Sequence, residues 1–148
     1  MRIALDTNIL AYAEGVNGAA RAEAALSMLS RLAEIETIVP AQVLGELYAV
    51  LVRKAGRSPQ DARNAILQWR DAFNVVETSS ETLLRAADLA AEHHLSIWDA
   101  LIVCVASGSG CRLLLSEDMQ DGFTWGGTTV VNPFATEPHP LYLAILSS

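Results

Sequence analysis

The chain begins Met1-Arg2-Ile3-Ala4-Leu5-Asp6-Thr7-Asn8, an apolar run that ends abruptly at an acid. Residues 2–5 are predicted to form a buried strand, and Asp-Thr-Asn is typical of a turn. A similar run, Leu113-Leu114-Leu115, is followed by Ser116-Glu117-Asp118. Apolar runs without polar alternation are typical of central strands in parallel sheets, which are buried on both faces. These two stretches therefore predict a parallel sheet with acids just beyond its strands.

Strands alternate with helices along the rest of the chain. Helices are predicted to start near Ser58, Thr78 and Ser96, because each of these residues begins a capping pattern. The alternation predicts a three-layer α/β/α sandwich with a central, mostly parallel five-stranded sheet. The predicted strands cover residues 2–5, 36–39, 74–77, 112–115 and 128–131.

Length and charge limit the classes of protein that this chain can belong to. Its 148 residues are 51% hydrophobic and carry 10 basic against 17 acidic side chains, a net charge of −7. We expect one domain over residues 1–148, with its core at about 2–134 and an apolar C-terminal tail at 135–148. The acidic balance argues against a protein that coats nucleic acid by charge alone. It is compatible with an enzyme that handles phosphates through bound cations.

The sequence predicts a cytoplasmic protein that does not enter a membrane. Asp6 interrupts the N-terminal apolar run, which is too short for a signal peptide. The apolar stretch at 141–146 is far shorter than the ~20 residues that span a bilayer. Cys104 and Cys111 do not form a C-x-x-C pair and are typical of buried thiols.

Four acids are predicted to lie at one edge of the sheet. Asp6 follows the first strand and Asp118 follows the fourth, while Glu46 lies on the helix after the second strand and Asp99 in the first turn of the helix before the fourth. In an open parallel sheet such positions meet beyond the carboxyl ends of the strands. Clustered carboxylates repel unless a cation neutralises them, and oxygen ligands suit Mg²⁺ or Mn²⁺. Ions held in this way support phosphodiester hydrolysis.

Each acid also has a structural explanation of its own. Asp99 lies three residues after Ser96 and fits a capping box, Asp6 fits a turn, and Glu46 fits the edge of an apolar helix face. Asp118 lies in an acidic loop, where solvated charge is common. A shared site is favoured because a single fold places all four at one edge.

Segments of the chain resemble the four acidic motifs of the PIN domain family, and the nearest subgroup is the VapC-type toxin ribonucleases of toxin–antitoxin pairs. The resemblance extends over residues 2–134 and ends with Val-Val-Asn-Pro-Phe at 130–134. The segments that carry it are Ala4-Leu5-Asp6-Thr7-Asn8, Glu46, Ser96-Ile97-Trp98-Asp99-Ala100-Leu101-Ile102 and Leu114-Leu115-Ser116-Glu117-Asp118.

The resemblance implies a Mg²⁺- or Mn²⁺-dependent endoribonuclease that acts as a toxin, is silenced by a small antitoxin and forms a homodimer. It implies that Asp6, Asp99 and Asp118 are metal ligands and that Glu46 completes the catalytic site or positions the water. Small polar residues would orient these carboxylates by hydrogen bonds, and one more acid would lie nearby. These supporting residues are Thr7, Asn8, Ser116 and the additional acid Asp121.

Basic residues are concentrated after the second predicted strand. Arg53, Lys54 and Arg57 lie within a few residues of one another and are candidates for contacts with the RNA backbone. The alternative is an ordinary solvated helix surface.

Two other functions compete with this interpretation. One is a non-catalytic module whose acids recruit a basic partner. The other is a phosphatase of the haloacid dehalogenase type, whose chemistry needs a second acid two residues after Asp6, where this chain has Asn8. It also needs a lysine after a later strand, whereas the only lysine, Lys54, lies in a predicted helical region.

Overall fold

A six-stranded sheet forms the centre of the protein, which is described here over residues 1–147 from a computed structural model. Numbered along the chain, its strands have the spatial order 3-2-1-4-6-5; strand β5 (Thr124–Trp125) is antiparallel to β6 (Thr128–Val131), and all other neighbours are parallel. The predicted α/β sandwich is confirmed, with a sixth strand added at one edge. The strands are β1 (Arg2–Leu5), β2 (Glu36–Pro40), β3 (Asn74–Val76), β4 (Leu113–Leu115), β5 (Thr124–Trp125) and β6 (Thr128–Val131).

Helices flank this sheet, and serine side chains cap several of them. Ser58 Oγ accepts a hydrogen bond from the Asp61 amide at 3.1 Å, as its capping pattern predicts. The cap predicted at Thr78 is wrong by one residue, because Ser79 Oγ accepts from the Thr82 amide. The helices are α1 (Thr7–Ala13), α2 (Ala19–Arg31), α3 (Ala41–Arg53), α4 (Pro59–Ala72), α5 (Ser80–His93), α6 (Ile97–Gly108) and α7 (Pro140–Leu146).

The turn predicted at Asp-Thr-Asn is wrong, since helix α1 starts directly at Thr7. Asp6 has an extended backbone (φ −83°, ψ 165°), and its carboxylate accepts a hydrogen bond from the Thr7 amide, so it caps the helix. Residues 8–12 are buried on every side. A helix without an exposed face shows no apolar periodicity, which is why sequence analysis missed it.

The order of the strands explains where a site can form. From β1 the sheet continues through β2 to β3 on one side and through β4 to β6 on the other. Strands β1 and β4 are therefore neighbours, and the Asp6 amide donates to the Leu115 carbonyl at 3.0 Å. At such a switch in strand order a crevice opens beyond the carboxyl ends of the strands. The segments after β1 and after β4 both lie at this crevice.

The C-terminal tail contributes to the core of the protein. In α7, Tyr142 and Ile145 are buried and belong to the same apolar cluster as strands β1 and β4. The tail expected at 135–148 thus packs on the sandwich as far as Leu146, and Ser148 lies outside the described residues. Over residues 1–147 no single helix is long and apolar enough to cross a bilayer; α5 and α6 meet that test only together, bent by 119°.

Strand β5 joins the sheet through a two-residue turn, Gly126-Gly127, that connects it to β6. Both glycines have positive φ, 57° and 83°, as a type I′ hairpin requires. Ser107 Oγ in α6 donates to the Gly126 carbonyl at 2.7 Å. A strand this short carries no apolar periodicity of its own, and therefore the five-strand expectation omitted it.

The two glycines of this turn make a matched pair for a stability test. In both, alanine meets the left-handed backbone, which costs about 1 to 2 kcal/mol. At Gly126 the new Cβ also lies 2.2 Å from Ser107 Oγ, whereas a Cβ at Gly127 has no atom within 4 Å among residues 1–147 other than those of Gly127 and its two chain neighbours. We expect urea denaturation to show a larger loss for Gly126→Ala, by about 1 to 3 kcal/mol. Equal losses would contradict this packing of the hairpin on α6.

Candidate active site

A cleft of about 380 Å³ opens at the carboxyl ends of β1 and β4. The four acids singled out in the sequence all line it, although they come from four separate segments of the chain. We call the part lined by these acids the acidic end, and the part lined by Arg53 and Lys54 the basic end. The acids of the acidic end are Asp6, Glu46, Asp99 and Asp118.

Asp6 is the buried acid of the group, with 5% of its surface exposed. Its Oδ1 accepts a hydrogen bond from the Thr7 amide at 2.7 Å, and its Oδ2 accepts from Ser116 Oγ at 2.7 Å and from Asn8 Nδ2 at 3.2 Å. The pKa of Asp6 is nevertheless raised to about 6. Burial is the largest cause and the charges of Asp99 and Glu46 act in the same direction, while the Ser116 and Thr7 hydrogen bonds oppose the shift. The acidic end therefore contains a negative charge that its hydrogen bonds only partly compensate.

Asn8 lies between two of the acids. Its Nδ2 donates at 3.2 Å to Asp6 Oδ2 and at 3.2 Å to Asp118 Oδ2, and its Oδ1 accepts from the Glu117 amide at 3.1 Å. The side chain is buried, with 8% exposed. One neutral amide thus holds two like charges apart and fixes the loop that follows β4.

Glu46 is held through both of its carboxylate oxygens. Thr7 Oγ1 donates to Oε2 at 3.1 Å, and Gln42 Nε2 donates to Oε1 at 3.3 Å. Gln42 Nε2 also lies 3.2 Å from the Trp98 carbonyl, so it links α3 to the first turn of α6. Sequence analysis did not find Gln42, because its partner Trp98 is distant in the sequence and no local pattern marks the contact.

Asp99 combines the two interpretations that its position allows. Its backbone amide donates to Ser96 Oγ at 3.0 Å, which is half of a capping box. Its carboxylate lines the acidic end, where burial raises its pKa and the nearby charge of Asp118 raises it further, while a hydrogen bond from Ser96 opposes the shift.

A further acid of the loop after β4, Glu117, is neutralised from α2. Arg21 forms an ion pair with it, and Tyr12 Oη donates to its Oε1 at 2.7 Å. Although burial alone would raise the pKa of Glu117, the hydrogen bonds from Tyr12 and Arg21 and the charge of Arg21 lower it. Arg21 also lies 4.9 Å from the centre of the Tyr12 ring. This cluster, which sequence analysis missed, anchors the loop that carries Asp118.

Two of the predicted site residues lie elsewhere. Asp121 is not among the residues that line the cleft, and its Oδ1 accepts from the Asn132 amide at 2.8 Å. Arg57 does not line the cleft either, since it forms an ion pair with Glu14 at 2.6 Å. Asp121 and Arg57 therefore hold loops in place, because their partners, Asn132 and Glu14, lie outside the acidic end.

The acidic end suits a hard divalent cation in its donor chemistry. Its ligating groups are carboxylates, which Mg²⁺ and Mn²⁺ prefer. Within residues 1–147, however, no three His, Cys, Asp or Glu side chains are close enough to hold one ion in their present rotamers. Like charges repel and Asn8 separates two of them. Joint coordination of an ion therefore requires side-chain rotation.

Comparison with known proteins identifies one matching family and several solved structures with a similar fold. The model of the PIN domain family matches residues 3–120. Comparison with curated proteins gives no significant match. Among solved structures, the VapBC2 complex from Rickettsia felis bound to promoter DNA is similar with a TM-score of 0.68 at 17% identity, covering 89% of this chain and 98% of that one.

Two other solved structures show the same fold. A toxin–antitoxin complex from Klebsiella pneumoniae has a TM-score of 0.64 at 22% identity, with 89% of this chain and 98% of that one covered. VapC20 from Mycobacterium tuberculosis, a sarcin-ricin loop cleaving toxin, has a TM-score of 0.63 at 20% identity, with 76% and 86% covered.

Substitution of Asn8 tests the role of its amide between the acids. Asn8→Ala removes the hydrogen bonds and should cost about 1 to 3 kcal/mol. Asn8→Asp keeps the shape but puts a third carboxylate between Asp6 and Asp118, so it should be the less stable variant. Urea denaturation in EDTA at neutral pH measures both. If Asn8→Asp is as stable as Asn8→Ala, the amide does not separate two charges.

Proposed function

The chain belongs to the PIN domain family, and from that membership we propose that it is a Mg²⁺- or Mn²⁺-dependent endoribonuclease that acts as the toxin of a toxin–antitoxin pair. The observation that supports this most is the convergence of four carboxylates from distant segments in one cleft. The basic end of the same cleft adds a place for the RNA backbone.

In this proposal Asp6, Asp99 and Asp118 hold the cation. When bound, the cation lowers the pKa of a water and stabilises the departing alkoxide. Asp6 serves as the fixed ligand, because hydrogen bonds from Thr7, Asn8 and Ser116 leave it little freedom. Asp99 and Asp118 are more exposed and can turn towards an ion.

Glu46 has a different part in the proposed reaction. Because Thr7 and Gln42 each hold one of its carboxylate oxygens, its orientation in the cleft is set before substrate arrives. A carboxylate fixed in this way can orient an attacking water or accept its proton. We assign Glu46 this positioning of the water.

The basic end supports binding of the RNA backbone. Arg53 and Lys54 are exposed at the C-terminal end of α3 and line the cleft. Basic side chains in the same cleft as the acids offset the repulsion between the RNA phosphates and an acidic protein. Of the three basic residues considered in the sequence, we assign only these two to the RNA contact, because Arg57 does not line the cleft.

The proposed partner is a small antitoxin. The similar structure from Klebsiella pneumoniae is a toxin–antitoxin complex, and the one from Rickettsia felis is VapBC2 bound to promoter DNA. A basic side chain of such a partner would neutralise the acidic end and displace the cation. A homodimer and a cytoplasmic location are part of the same proposal.

The proposed nuclease is distinguished from the alternatives by metal-dependent RNA cleavage. Purified without antitoxin, the chain should cut RNA in Mg²⁺ or Mn²⁺ and stop in EDTA. Asp6→Asn and Asp99→Asn should each lower the rate by more than about 100-fold, since even outer residues of metal sites cost 10- to 100-fold. Asp88→Asn, on the exposed part of α5, should retain full activity.

Each alternative has its own result in this assay. Equal residual cutting by the wild type and both cleft variants identifies contamination and favours a non-catalytic binding module. Turnover of small phosphomonoesters with intact RNA identifies a phosphatase.

A second prediction distinguishes the basic side chains near the cleft by their roles. Arg53→Ala and Lys54→Ala should each raise KM for RNA roughly ten-fold, and each should reduce the salt dependence of binding by about one unit of slope. Arg57→Ala should leave that slope unchanged and lower stability by about 1 to 3 kcal/mol, because it leaves Glu14 without its ion pair. Equal effects of all three on the slope would contradict the assignment.

A further inference from the structure

The cleft continues well beyond the acids, and its middle part has a composition of its own. Besides the residues of the two ends, its lining includes the apolar side chains of Ala11, Val16 and Val50 and the amide of Asn17. Val50 lies on α3 one turn after Glu46 and one turn before Lys54, and therefore between the two ends. At about 380 Å³ the whole cleft lies in the range of small-ligand sites, roughly 300 to 1,000 Å³. The middle part thus offers an apolar surface and one amide beside a proposed reaction centre.

Asn17 reaches the cleft from a tightly wound loop between α1 and α2. Gly15, Asn17 and Gly18 all have positive φ, 100°, 68° and 102°. A left-handed backbone is unfavourable for a residue with a side chain, although asparagine tolerates it better than most. Strained residues persist only where their surroundings fix them, and they cluster at active sites and ligand clamps.

The surroundings of this loop do fix it. Glu14 accepts hydrogen bonds from Arg57 at 2.6 Å and from Trp69 Nε1 at 2.9 Å, which join the loop to the α3–α4 connection and to α4. The Val16 amide donates to the Ala11 carbonyl at 3.0 Å, and the Val16 side chain is 8% exposed. Asn17 itself is exposed, and no hydrogen bond within residues 1–147 engages its side-chain amide. The Asn17 amide therefore offers a hydrogen-bond donor and an acceptor that no other residue of 1–147 engages, on a loop that is held in place by hydrogen bonds.

We propose that the middle of the cleft is a nucleotide subsite, in which Asn17 recognises the unpaired base next to the cleaved bond. The inference rests on the proposed ribonuclease function. The base packs on Ala11, Val16 and Val50, and the Asn17 amide pairs with a base edge that presents a donor beside an acceptor. Arg53 or Lys54 holds the phosphate on the far side of that nucleotide.

The distribution of charge favours a nucleotide over a peptide as the occupant. A basic segment of a partner protein fits the acidic end, but Arg53 and Lys54 would repel it if it continued along the cleft. A nucleotide can place one phosphate at the acidic end, where the proposed cation binds, and the next phosphate at the basic end. The base attached to the sugar between them then contacts the apolar lining. Because the base must leave its stack to enter, the substrate is single-stranded at this position.

The test uses the full chain and a pool of single-stranded RNAs with random bases around the cut, whose new ends are sequenced. The wild type should prefer one base at a position adjoining the cut. Asn17→Gly keeps the left-handed backbone without the amide, and should lower cleavage of the preferred sequence about ten-fold, to the level of the other bases. Asn17→Asp replaces the amide donor with acceptors and should change which base is preferred. Asn64→Ala, an exposed amide on α4 outside the cleft, serves as the unchanged control.

The outcomes separate this inference from the proposed function. Metal-dependent cleavage with the same base preference in the wild type and Asn17→Gly overturns the subsite and leaves the ribonuclease standing. Cleavage without any preference at the adjoining positions also overturns it. A variant that cuts RNA with the wild-type preference and loses inhibition by an antitoxin peptide assigns the middle of the cleft to a protein partner. Absence of metal-dependent cleavage in the wild type overturns the ribonuclease itself, and the subsite with it.

Discussion

The buried carboxylate of Asp6 at the end of β1 is the constraint around which the site is built. Two of its hydrogen bonds are local, from Thr7 and Asn8 on α1, whereas the third, from Ser116 beyond β4, exists because β1 and β4 are neighbours. The strand order therefore determines part of the geometry of the cleft, because it brings Ser116 to Asp6. A buried charge without a cationic partner is unfavourable, and the raised pKa of Asp6 reflects this. The proposed divalent cation supplies the missing positive charge.

Basic residues near the cleft fall into two groups, those paired with acids of the protein and those left exposed at the basic end. Arg21 neutralises Glu117, and Arg57 neutralises Glu14, so both are used to hold loops in place. Arg53 and Lys54 remain exposed at the basic end. In a chain of net charge −7 this leaves a short positive segment beside a strongly negative one. In the proposed function, the contrast between the two ends of the cleft orients the RNA.

The features that sequence analysis predicted correctly are those with strong local patterns. The apolar runs of β1 and β4 predicted central parallel strands, and their order along the chain brought the acids after them to one edge. Helix α1 was missed because it is buried on all sides and lacks an exposed face. Strand β5 was missed because two residues carry no periodicity.

Contacts between distant segments could not be predicted from the sequence. Nothing local to Arg57 indicates its pairing with Glu14, and nothing near Asp121 indicates that it holds the Asn132 amide. The same is true of Gln42, whose link to Trp98 depends on how α3 packs beside the first turn of α6. Side-chain pairing of this kind depends on the folded arrangement and leaves no local pattern in the sequence.

The central claim is that the acids of the cleft share a divalent cation, and a crystal of the protein with Mn²⁺ tests it most directly. Anomalous diffraction from manganese should give a peak at the acidic end, with carboxylate oxygens of Asp6, Asp99 and Asp118 as ligands. Crystals of Asp6→Asn should lack that peak. At saturating Mn²⁺, an acidic end without anomalous density in the wild type, or a peak only elsewhere on the protein, would contradict the account.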